Sequence, residues 1–292
     1  MTRLGGCYSM DCFGERAAEM RDRARYVIVT PYYNEEKWLL ERCIESVRKQ
    51  TVPTDHIIVA DGFPQDWIDG EGVRHIRLDR NHADYGNTPR TIGALLGVSA
   101  GYEGIGFLDA DNWLKPNHVA SCIEASERNA ECDYVIARRH LCRPDGTVIK
   151  VNEPPPQSFV DTNCFFMLPG SYHVIPHFAL MPNELSPICD RVFYAALKAK
   201  KLNAEVVTEK TVNYHCMWRH VYVVAGETPP PNAKGGIDYK RIKRWFDAQD
   251  ARDHVLVTRR TGCRINIPDD SVGPRMLTEQ VLIPKKAASQ AQ

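Results

Sequence analysis

The stretch Gly104-Ile105-Gly106-Phe107-Leu108-Asp109-Ala110-Asp111-Asn112 decides the fold of this chain. Its apolar first half predicts a short buried strand, and two carboxylates one residue apart follow where that strand ends. Side chains at alternate positions of an extended segment point the same way, so Asp109 and Asp111 can address one ligand. Two like charges at this spacing favour a bound cation, and oxygen ligands suit Mg²⁺ or Mn²⁺. The alternative is an Asp-rich turn that merely closes the strand.

The segments before this stretch alternate between strands and a helix. Buried strands are predicted over 26–30, where Pro31 ends the run, over 56–60 and over 73–78, with an amphipathic helix over 36–50. A strand, a helix and a strand joined by short links predict an α/β fold with a mostly parallel sheet and helices on both faces. Ligands of such sheets bind outside the carboxyl ends of the strands.

Polar side chains follow three of these predicted strands at the same edge of the sheet. They are Tyr33, Asn34 and Glu35 after the first strand, Asp61 after the second, and Asp109 and Asp111 after the strand at 104–108. This convergence is stronger evidence for a binding site than any one of the motifs.

A helix is predicted to begin near Asn87 or Thr88, either of which can cap it, with Pro89 in the first turn. Arg90 also lies in that turn, where a cation opposes the helix dipole. A phosphate bound jointly by Arg90 and the helix N-terminus would explain its position. The alternative is an arginine that reaches solvent.

The second half of the chain is less regular. Its predicted elements are helices over 117–129, 189–201 and 238–250, strands over 134–140, 161–167 and 204–208, and a hairpin partner over 147–151. Asp190 stands at the start of one of these helices, which is an ordinary place for an acid.

Composition excludes several classes of protein. Lys plus Arg and Asp plus Glu are 37 each, so nucleic acid is not an expected partner. No apolar run reaches the roughly 18 residues of a membrane span, and the first 25 residues have no secretory apolar core. The ten cysteines include no CxxC pair, which favours free thiols in a reducing, cytoplasmic compartment. We expect an extension over 1–24, a catalytic domain over 25–225 and a C-terminal helix and tail over 226–292.

Taken together, the motifs resemble those of GT-A glycosyltransferases of family 2, the inverting group, over residues 25–220. The segments that carry the resemblance are Pro31-Tyr32-Tyr33-Asn34-Glu35, Ala60-Asp61-Gly62, Arg90-Thr91-Ile92-Gly93, Asp109-Ala110-Asp111 and Ile188-Cys189-Asp190-Arg191. Three of them depart from the family pattern: Ala60 replaces an Asp, Thr91 replaces an Asn, and Cys189 replaces an acid.

The resemblance implies a role for each matching residue. It places Pro31, Tyr33, Glu35, Asp61, Arg90 and Asp109 at the nucleotide-sugar donor, Asp111, Asp109 and His215 at a divalent cation (Mn²⁺ or Mg²⁺), and Asp190 as the catalytic base. A purely structural role for His215 is the alternative. The Pro-flanked segments 152–160 and 226–236 are candidate lids, or else ordinary surface loops.

The activity implied is a single displacement that moves a sugar, from a UDP-linked donor by resemblance, to a hydroxyl of a glycan, a lipid-linked or a small-molecule acceptor. A non-catalytic nucleotide-sugar-binding module of the same fold is one alternative. A sugar-nucleotide pyrophosphorylase is another, disfavoured because no Gly-rich loop follows the first strand. A Rossmann oxidoreductase is excluded because its Gly-rich fingerprint is missing.

Overall fold

The structure is a computed structural model that describes residues 24–152, 155 and 159–267. The predicted extension over 1–24 lies, apart from residue 24, outside the described residues, as does the tail from 268 onward. The eight described cysteines are all free thiols, as the sequence predicts. Within the described ranges, no helix combines the length and the apolar character that crossing a bilayer requires.

One eight-stranded sheet organises the chain. Its strands are β1 (Tyr26–Tyr32), β2 (Thr54–Ala60), β3 (Arg74–Arg77), β4 (Gly104–Phe107), β5 (Trp113–Leu114), β6 (Tyr134–Cys142), β7 (Phe165–Met167) and β8 (Ala204–His215). They are ordered β3-β2-β1-β4-β7-β6-β8-β5. The first four strands in this order are parallel, and so is the β6–β8 pair. β7 lies antiparallel between β4 and β6, and β5 is antiparallel to β8 at the edge.

Helices cover both faces of the sheet, as predicted. They are α1 (Lys37–Arg48), α2 (Asn87–Ser99), α3 (His118–Glu127), α4 (His177–Leu180), α5 (Cys189–Ala199), α6 (Arg219–Val224), α7 (Tyr239–Asp247) and α8 (Ala251–Thr261). Alternate residues of β2 reach opposite faces. Ile57 and Val59 face Gly93 of α2, while Ile58 joins Leu40 and Ile44 of α1 in a separate cluster.

Gly93 allows α2 to lie directly on the sheet. A Cβ added there would come within 2.5 Å of a methyl of Val29 and 3.0 Å of a methyl of Val59. Any side chain would therefore lift the helix off the strands, and with it the residues of its first turn.

The prediction that Pro31 ends the first strand is wrong, because β1 continues to Tyr32. Val29 accepts a hydrogen bond from the Leu108 backbone N–H at 3.0 Å, so this side of β1 faces β4. Pro31, two residues on, faces the same side beyond the end of β4, whose pairing stops at Val29. A residue without an N–H is tolerated where no partner strand requires one.

Two further predicted strands are incomplete. Residues 162–164 form a 3-10 turn instead of the start of β7, because the Asp161 carboxylate accepts a hydrogen bond from the Asn163 N–H at 3.0 Å. Such a local bond competes with strand pairing. The predicted hairpin partner over 147–151 is reduced to one bridge, between Cys142 and Val148, beyond a turn closed by the Arg143 N–H and the Thr147 carbonyl.

β8 is longer than predicted and reaches His215 because β6 pairs with it as far as Cys142. Periodicity also missed α8, which Asp250 caps and which ends at Gly262 with a φ of 72°. Both C-terminal helices pack on the rest of the protein, since Ile242 and Val257 belong to the main core cluster. The division of the chain into a catalytic domain over 25–225 and a C-terminal helix and tail over 226–292 stays a prediction.

Candidate active site

The loop that follows β4 places Asp109 within a dense hydrogen-bonded network. The Asp109 N–H donates to Oδ1 of Asn163 at 2.5 Å, and Nδ2 of Asn163 donates to Oδ2 of Asp109 at 2.9 Å and to Oδ1 of Asp161 at 2.6 Å. Asn163 is buried and lies between two carboxylates that are distant in the sequence. Asn163 therefore positions Asp109, a role that the sequence analysis did not identify.

Arg90 is the second partner of Asp109. Its Nη2 lies 2.7 Å from Oδ1 of Asp109, its Nη1 donates to the Asn87 side chain, and its guanidinium lies over the Phe178 ring. Nε is buried without a hydrogen-bond partner. The ion pair explains why a cation occupies the first turn of α2, and it contradicts the alternative of an arginine that reaches solvent. A contact between Arg90 and a phosphate stays a prediction.

The start of α2 differs from the predicted cap. Gly86, with a φ of 79°, is the N-cap residue, and the Asp84 carboxylate ahead of it accepts a hydrogen bond from the Thr88 N–H at 2.8 Å. Pro31 lies under Gly86, so its ring supports this helix start from within β1. Neither Asn87 nor Thr88 serves as the side-chain cap.

The Asp111 carboxylate differs from Asp109 in having no hydrogen-bond partner among the described residues. Burial raises its pKa to about 7, and repulsion by Asp109, Glu35 and Asp161 acts in the same direction. Lys234 is the cation that opposes this rise. A carboxylate surrounded by acids is electrostatically suited to accept a divalent cation.

Arg42 of α1 holds the loop from the other side and was missed by the sequence analysis. Its Nη2 donates to the Asp111 carbonyl at 2.8 Å, and its guanidinium lies 3.8 Å from the Trp113 ring centre and 5.0 Å from that of Trp38. The i, i+4 spacing of Trp38 and Arg42 was a signal that could have revealed this cation–π pair.

His215, at the end of β8, has both ring nitrogens buried without a hydrogen-bond partner. Its backbone N–H donates to the Asn112 side chain at 2.7 Å, which ties it to the residue after Asp111. Its ring packs edge-on against Trp38. Burial and the nearby cations Arg42 and Lys234 lower its pKa, which leaves a neutral imidazole able to bind a ligand.

A ready-made metal cluster is absent: across the described part of the chain, no three His, Cys, Asp or Glu side chains gather closely enough to hold an ion. The residues nevertheless fit a cation of the predicted kind. Mg²⁺ is commonly bound by one or two carboxylates together with substrate phosphates. The carboxylate of Asp111 and the unpaired imidazole of His215 have atoms left for such a partial site, and whether Asp109 joins them stays a prediction.

Two aromatic rings lie beyond the ends of β1 and β2. Tyr33 is 42% exposed and packs edge-on against Phe63, with ring centres 4.7 Å apart. Glu35 accepts a hydrogen bond from the Tyr33 N–H at 2.7 Å, and burial raises the pKa of Glu35. Phe63 was missed, although it directly follows the Asp61-Gly62 motif. An exposed aromatic pair next to a half-buried acid suits a flat, polar ligand.

Asp61 is buried and has His82 as its partner. Its Oδ1 lies 2.6 Å from Nδ1 of His82, and both carboxylate oxygens lie near the His82 backbone N–H. Gly62 has a φ of 88°, and a Cβ there would come within 2.4 Å of the Asn81 nitrogen. Glycine is therefore required for the segment before His82 to approach Asp61.

Asp190 lies in the first turn of α5, where its Oδ1 accepts a hydrogen bond from the Arg191 N–H at 2.7 Å. Burial raises the pKa of Asp190, and Asp161 adds to the rise while Arg191 and Arg139 oppose it. Asp161 also raises the pKa of Asp111, so its charge acts on both Asp111 and Asp190. A desolvated carboxylate of this kind is a stronger base than one in water.

Two further polar side chains in the second half of the chain, those of His177 and Trp218, have structural partners. Nδ1 of His177 lies 2.9 Å from the Arg260 carbonyl, and Nε1 of Trp218 donates to the Tyr214 hydroxyl at 2.9 Å. Of the candidate lids, 226–236 is held by a hydrogen bond from the Lys234 N–H to the Met217 carbonyl. The other, 152–160, falls mostly outside the described residues.

Comparison with known proteins identifies the family of this chain. The family model of glycosyl transferase family 2 matches residues 27–198, which is more than half of the chain. The chain belongs to this family. Membership of family 2 confirms the predicted GT-A fold and shows that the protein is a glycosyltransferase. A search of curated proteins finds no match.

Solved structures with a similar fold include those of S. aureus TarS. The structure of TarS 1-349 in complex with UDP-GlcNAc is 12% identical, with a TM-score of 0.53, over 80% of this chain and 70% of that one. The complex with UDP gives a TM-score of 0.50 at the same identity and coverage. TarS 1-349 without a named ligand gives a TM-score of 0.51 at 13% identity, over 80% of this chain and 69% of that one. At these identities the likeness shows the fold alone.

Proposed function

We propose that this family 2 enzyme is an inverting glycosyltransferase that moves a sugar from a UDP-linked donor to an acceptor hydroxyl with the help of a divalent cation. The observation that carries the proposal is the relation between two separate acidic centres. Asp109 and Asp111 follow β4, and Asp190 lies in the first turn of α5. Asn163 bonds to the carboxylates of both Asp109 and Asp161, and the charge of Asp161 acts on both Asp111 and Asp190. The UDP and UDP-GlcNAc complexes of S. aureus TarS support the choice of nucleotide.

The donor would bind along the carboxyl ends of β1, β2 and β4. Tyr33 and Phe63 offer rings to the nucleobase, and Asp61 would accept from the base N–H. Glu35 would contact the nucleoside, and Pro31 would shape the floor beneath it. Arg90 would act on the phosphates directly or by fixing Asp109.

Asp111, Asp109 and His215 would hold the cation together with the donor diphosphate. When bound, the cation supplies Lewis-acid stabilisation of the charge that develops on the departing diphosphate. Lys234, the cation that acts on the pKa of both Asp111 and His215, would add a second positive charge on the same side.

Asp190 would act as the general base. It takes the proton of the acceptor hydroxyl as that oxygen forms a bond to the anomeric carbon, and the bond from that carbon to the diphosphate oxygen breaks on the opposite face. The electron pair leaves with the nucleoside diphosphate, so the configuration inverts in one step. A positioned base contributes roughly 10²–10⁴-fold to such a rate. We assign this chemistry to residues 25–225.

The test is a screen of nucleotide sugars with Mn²⁺ for release of the nucleoside diphosphate, run with pools of glycan, lipid-linked and small-molecule acceptors. We expect UDP release that depends on acceptor and metal, and that is lost in Asp190→Asn. Binding of UDP without turnover of any donor would instead indicate a non-catalytic binding module. Retention of configuration in the product, measured by NMR, would contradict the single displacement.

A further inference from the structure

The hydroxyl of Tyr239 is a buried polar group without a hydrogen-bond partner among the described residues. Tyr239 is the first residue of α7 and is only 9% exposed. A buried tyrosine hydroxyl usually has a partner, because leaving it unpaired costs free energy. An unpaired hydroxyl of this kind requires an explanation, and a ligand that bonds to it is one.

The Tyr239 ring is held in place by its own helix. The Asp238 side chain caps α7 by accepting a hydrogen bond from the Arg241 N–H at 2.9 Å, and Tyr239 and Ile242 belong to the main core cluster. α7 also lies against the 3-10 segment Asn183–Ile188, which leads into α5. The ring is therefore fixed near the element that carries the predicted base.

Arg191 of α5 connects Tyr239 to that base. Its guanidinium carbon lies 5.8 Å from the centre of the Tyr239 ring, and its Nη1 lies 3.7 Å from Oδ1 of Asp190. Burial raises the pKa of Tyr239, the charge of Arg191 opposes the rise, and that of Asp190 adds to it. The unpaired hydroxyl, the guanidinium and the carboxylate thus form one cluster.

The guanidinium of Arg191 has donors left for a ligand. Its side chain is 17% exposed, and the 3.7 Å contact with Asp190 is longer than a hydrogen bond. None of its side-chain N–H groups donates to an acceptor among the residues that the structure describes. A guanidinium carries five N–H donors in a planar fork, which can bond to two neighbouring oxygens of one ligand.

The charges around the base favour a neutral ligand. Asp190 and Asp161 are opposed by Arg191 and Arg139, the charged groups that act on the pKa of Asp190. A charged ligand would leave one charge of this group uncompensated, which is costly away from water. A hydroxyl can accept from a guanidinium and donate to a carboxylate at the same time. Neighbouring hydroxyls of a sugar meet both demands.

We infer that Arg191 and Tyr239 bind the acceptor, and that the group they hold is a neutral sugar ring with one hydroxyl facing Asp190. This inference rests on the proposed function, because it assigns the second substrate of that reaction. The family model ends at residue 198, so Tyr239 lies outside the matched range. The C-terminal part of the chain thus contributes to acceptor recognition, while the donor residues and the base lie within 25–225.

The test titrates the methyl glycosides of glucose, galactose, mannose and N-acetylglucosamine into the protein saturated with UDP and Mg²⁺. Glucuronate and glucose 6-phosphate are the charged comparators. Binding is followed by NMR of ¹³C-labelled tyrosine rings, in which the Tyr239 signal is identified by its absence from Tyr239→Phe. We expect at least one neutral glycoside to shift that signal and the charged sugars to bind more weakly.

The variants separate a ligand contact from a structural role. Tyr239→Phe removes only an unpaired hydroxyl, so it should melt at or above the wild-type temperature and bind the glycoside about five- to tenfold more weakly in ligand-observed NMR. Arg191→Gln should weaken binding at least as much. Tyr172→Phe is the matched control, because the Tyr172 hydroxyl donates to the Tyr102 carbonyl at 2.8 Å. It should lose stability and keep the wild-type affinity for the glycoside.

Several results would overturn the inference. They are wild-type glycoside affinity in Tyr239→Phe, a lower melting temperature of that variant, tighter binding of the charged sugars, and no binding of any sugar. Weaker binding of UDP-GlcNAc but not of UDP by Tyr239→Phe would also overturn it, since the cluster would then hold the donor sugar.

UDP affinity, measured separately by calorimetry, distinguishes these results from a failure of the proposed function. If UDP does not bind, the donor assignment fails, while the titration at Tyr239 still reports on sugar binding. If UDP binds and the glycosides do not, only the inference about the acceptor fails.

Discussion

The buried guanidinium of Arg90 meets the Asp109 carboxylate at 2.7 Å, although the two side chains are exposed to very different degrees, 2% and 35%. Arg90 belongs to the first turn of α2 and Asp109 to the loop after β4. The pair therefore ties a helix start to the strand end that carries the acidic motif. Asp111, two residues further on, has no such partner. The two acids of one motif therefore contribute differently to the free energy of unfolding.

This difference predicts opposite stability effects in the metal-free protein. Asp109→Asn would leave the buried charge of Arg90 without its counter-charge and should lower the free energy of unfolding by roughly 2–3 kcal/mol. Asp111→Asn removes a repelled carboxylate and should leave stability unchanged or slightly higher. Urea unfolding at pH 8 measures both, with Arg90→Met/Asp109→Asn as the control that should recover part of the loss. Equal effects of the two single substitutions would contradict the buried-pair account.

The cation site gives a second prediction. Mn²⁺ should tighten UDP binding to the wild-type protein, and Asp111→Asn should abolish that effect while UDP alone still binds. His215→Asn should reduce the effect by about tenfold, or 1.4 kcal/mol, if its imidazole joins the cation or the diphosphate. Calorimetric titrations with and without Mn²⁺ provide the measurement. An unchanged Mn²⁺ effect in His215→Asn would return that histidine to a structural role.

The third prediction concerns recognition of the nucleobase by Asp61. Asp61→Ala should weaken UDP binding by roughly 1.5–3 kcal/mol, the value of a hydrogen bond to a charged group. The matched control is Asp66→Ala, an exposed acid that pairs with Arg77 on the surface. Calorimetry with UDP should show a loss in the first variant only. The same affinity in both would exclude Asp61 from the nucleotide site.

The fourth prediction concerns Asp190 as the proposed general base. A favourable charge at the start of α5 is worth only about 0.3–1 kcal/mol, so Asp190→Asn should melt within a few degrees of wild type and bind UDP normally. Transfer to the acceptor should fall by roughly 10²–10⁴-fold. Glu209→Gln, on an exposed acid that pairs with Lys115 on the surface, is the control. Normal transfer by Asp190→Asn would move the base elsewhere, with Glu184 next to be tested, and loss of folding would assign Asp190 a structural role.

Two buried histidines predict the acid sensitivity of the fold. Burial lowers the pKa of His56 to about 3 and that of His118 to about 4, and each contacts a threonine hydroxyl, that of Thr30 at 2.8 Å and that of Thr211 at 2.9 Å. In the unfolded chain both take up protons near pH 6.5. The stability that these two neutral histidines contribute is therefore fully present above pH 6.5. It is lost as pH falls towards 3–4, by about 1.4 kcal/mol per pH unit for each histidine.

His56→Gln keeps a hydrogen-bonding group but cannot titrate, so it should lose less stability than wild type between pH 6.5 and 5. His173→Gln, at an exposed position, is the control and should follow the wild-type slope. Urea unfolding across this pH range gives the slopes. Identical slopes for wild type and His56→Gln would mean that His56 titrates alike in the folded and unfolded chains.

The sequence alone determined the α/β class, the positions of most strands and helices, and the edge of the sheet that carries the polar motifs. These features follow from local patterns: apolar runs of strand length, helical spacing of Leu40 and Ile44, and acids placed where strands end. Each depends on residues within a few positions of one another, so the physical signal is present in any short window of the chain.

Only the tertiary structure decided which of these side chains meet. Asn163 reaches Asp109 across 54 positions, and β7 begins only at Phe165 because the Asp161 carboxylate holds residues 162–164 in a 3-10 turn. β8 extends to His215 only because β6 lies beside it. The burial that makes Asp190 a plausible base, and the ion pair that fixes Arg90 on Asp109, depend on packing between distant segments, which local periodicity does not encode.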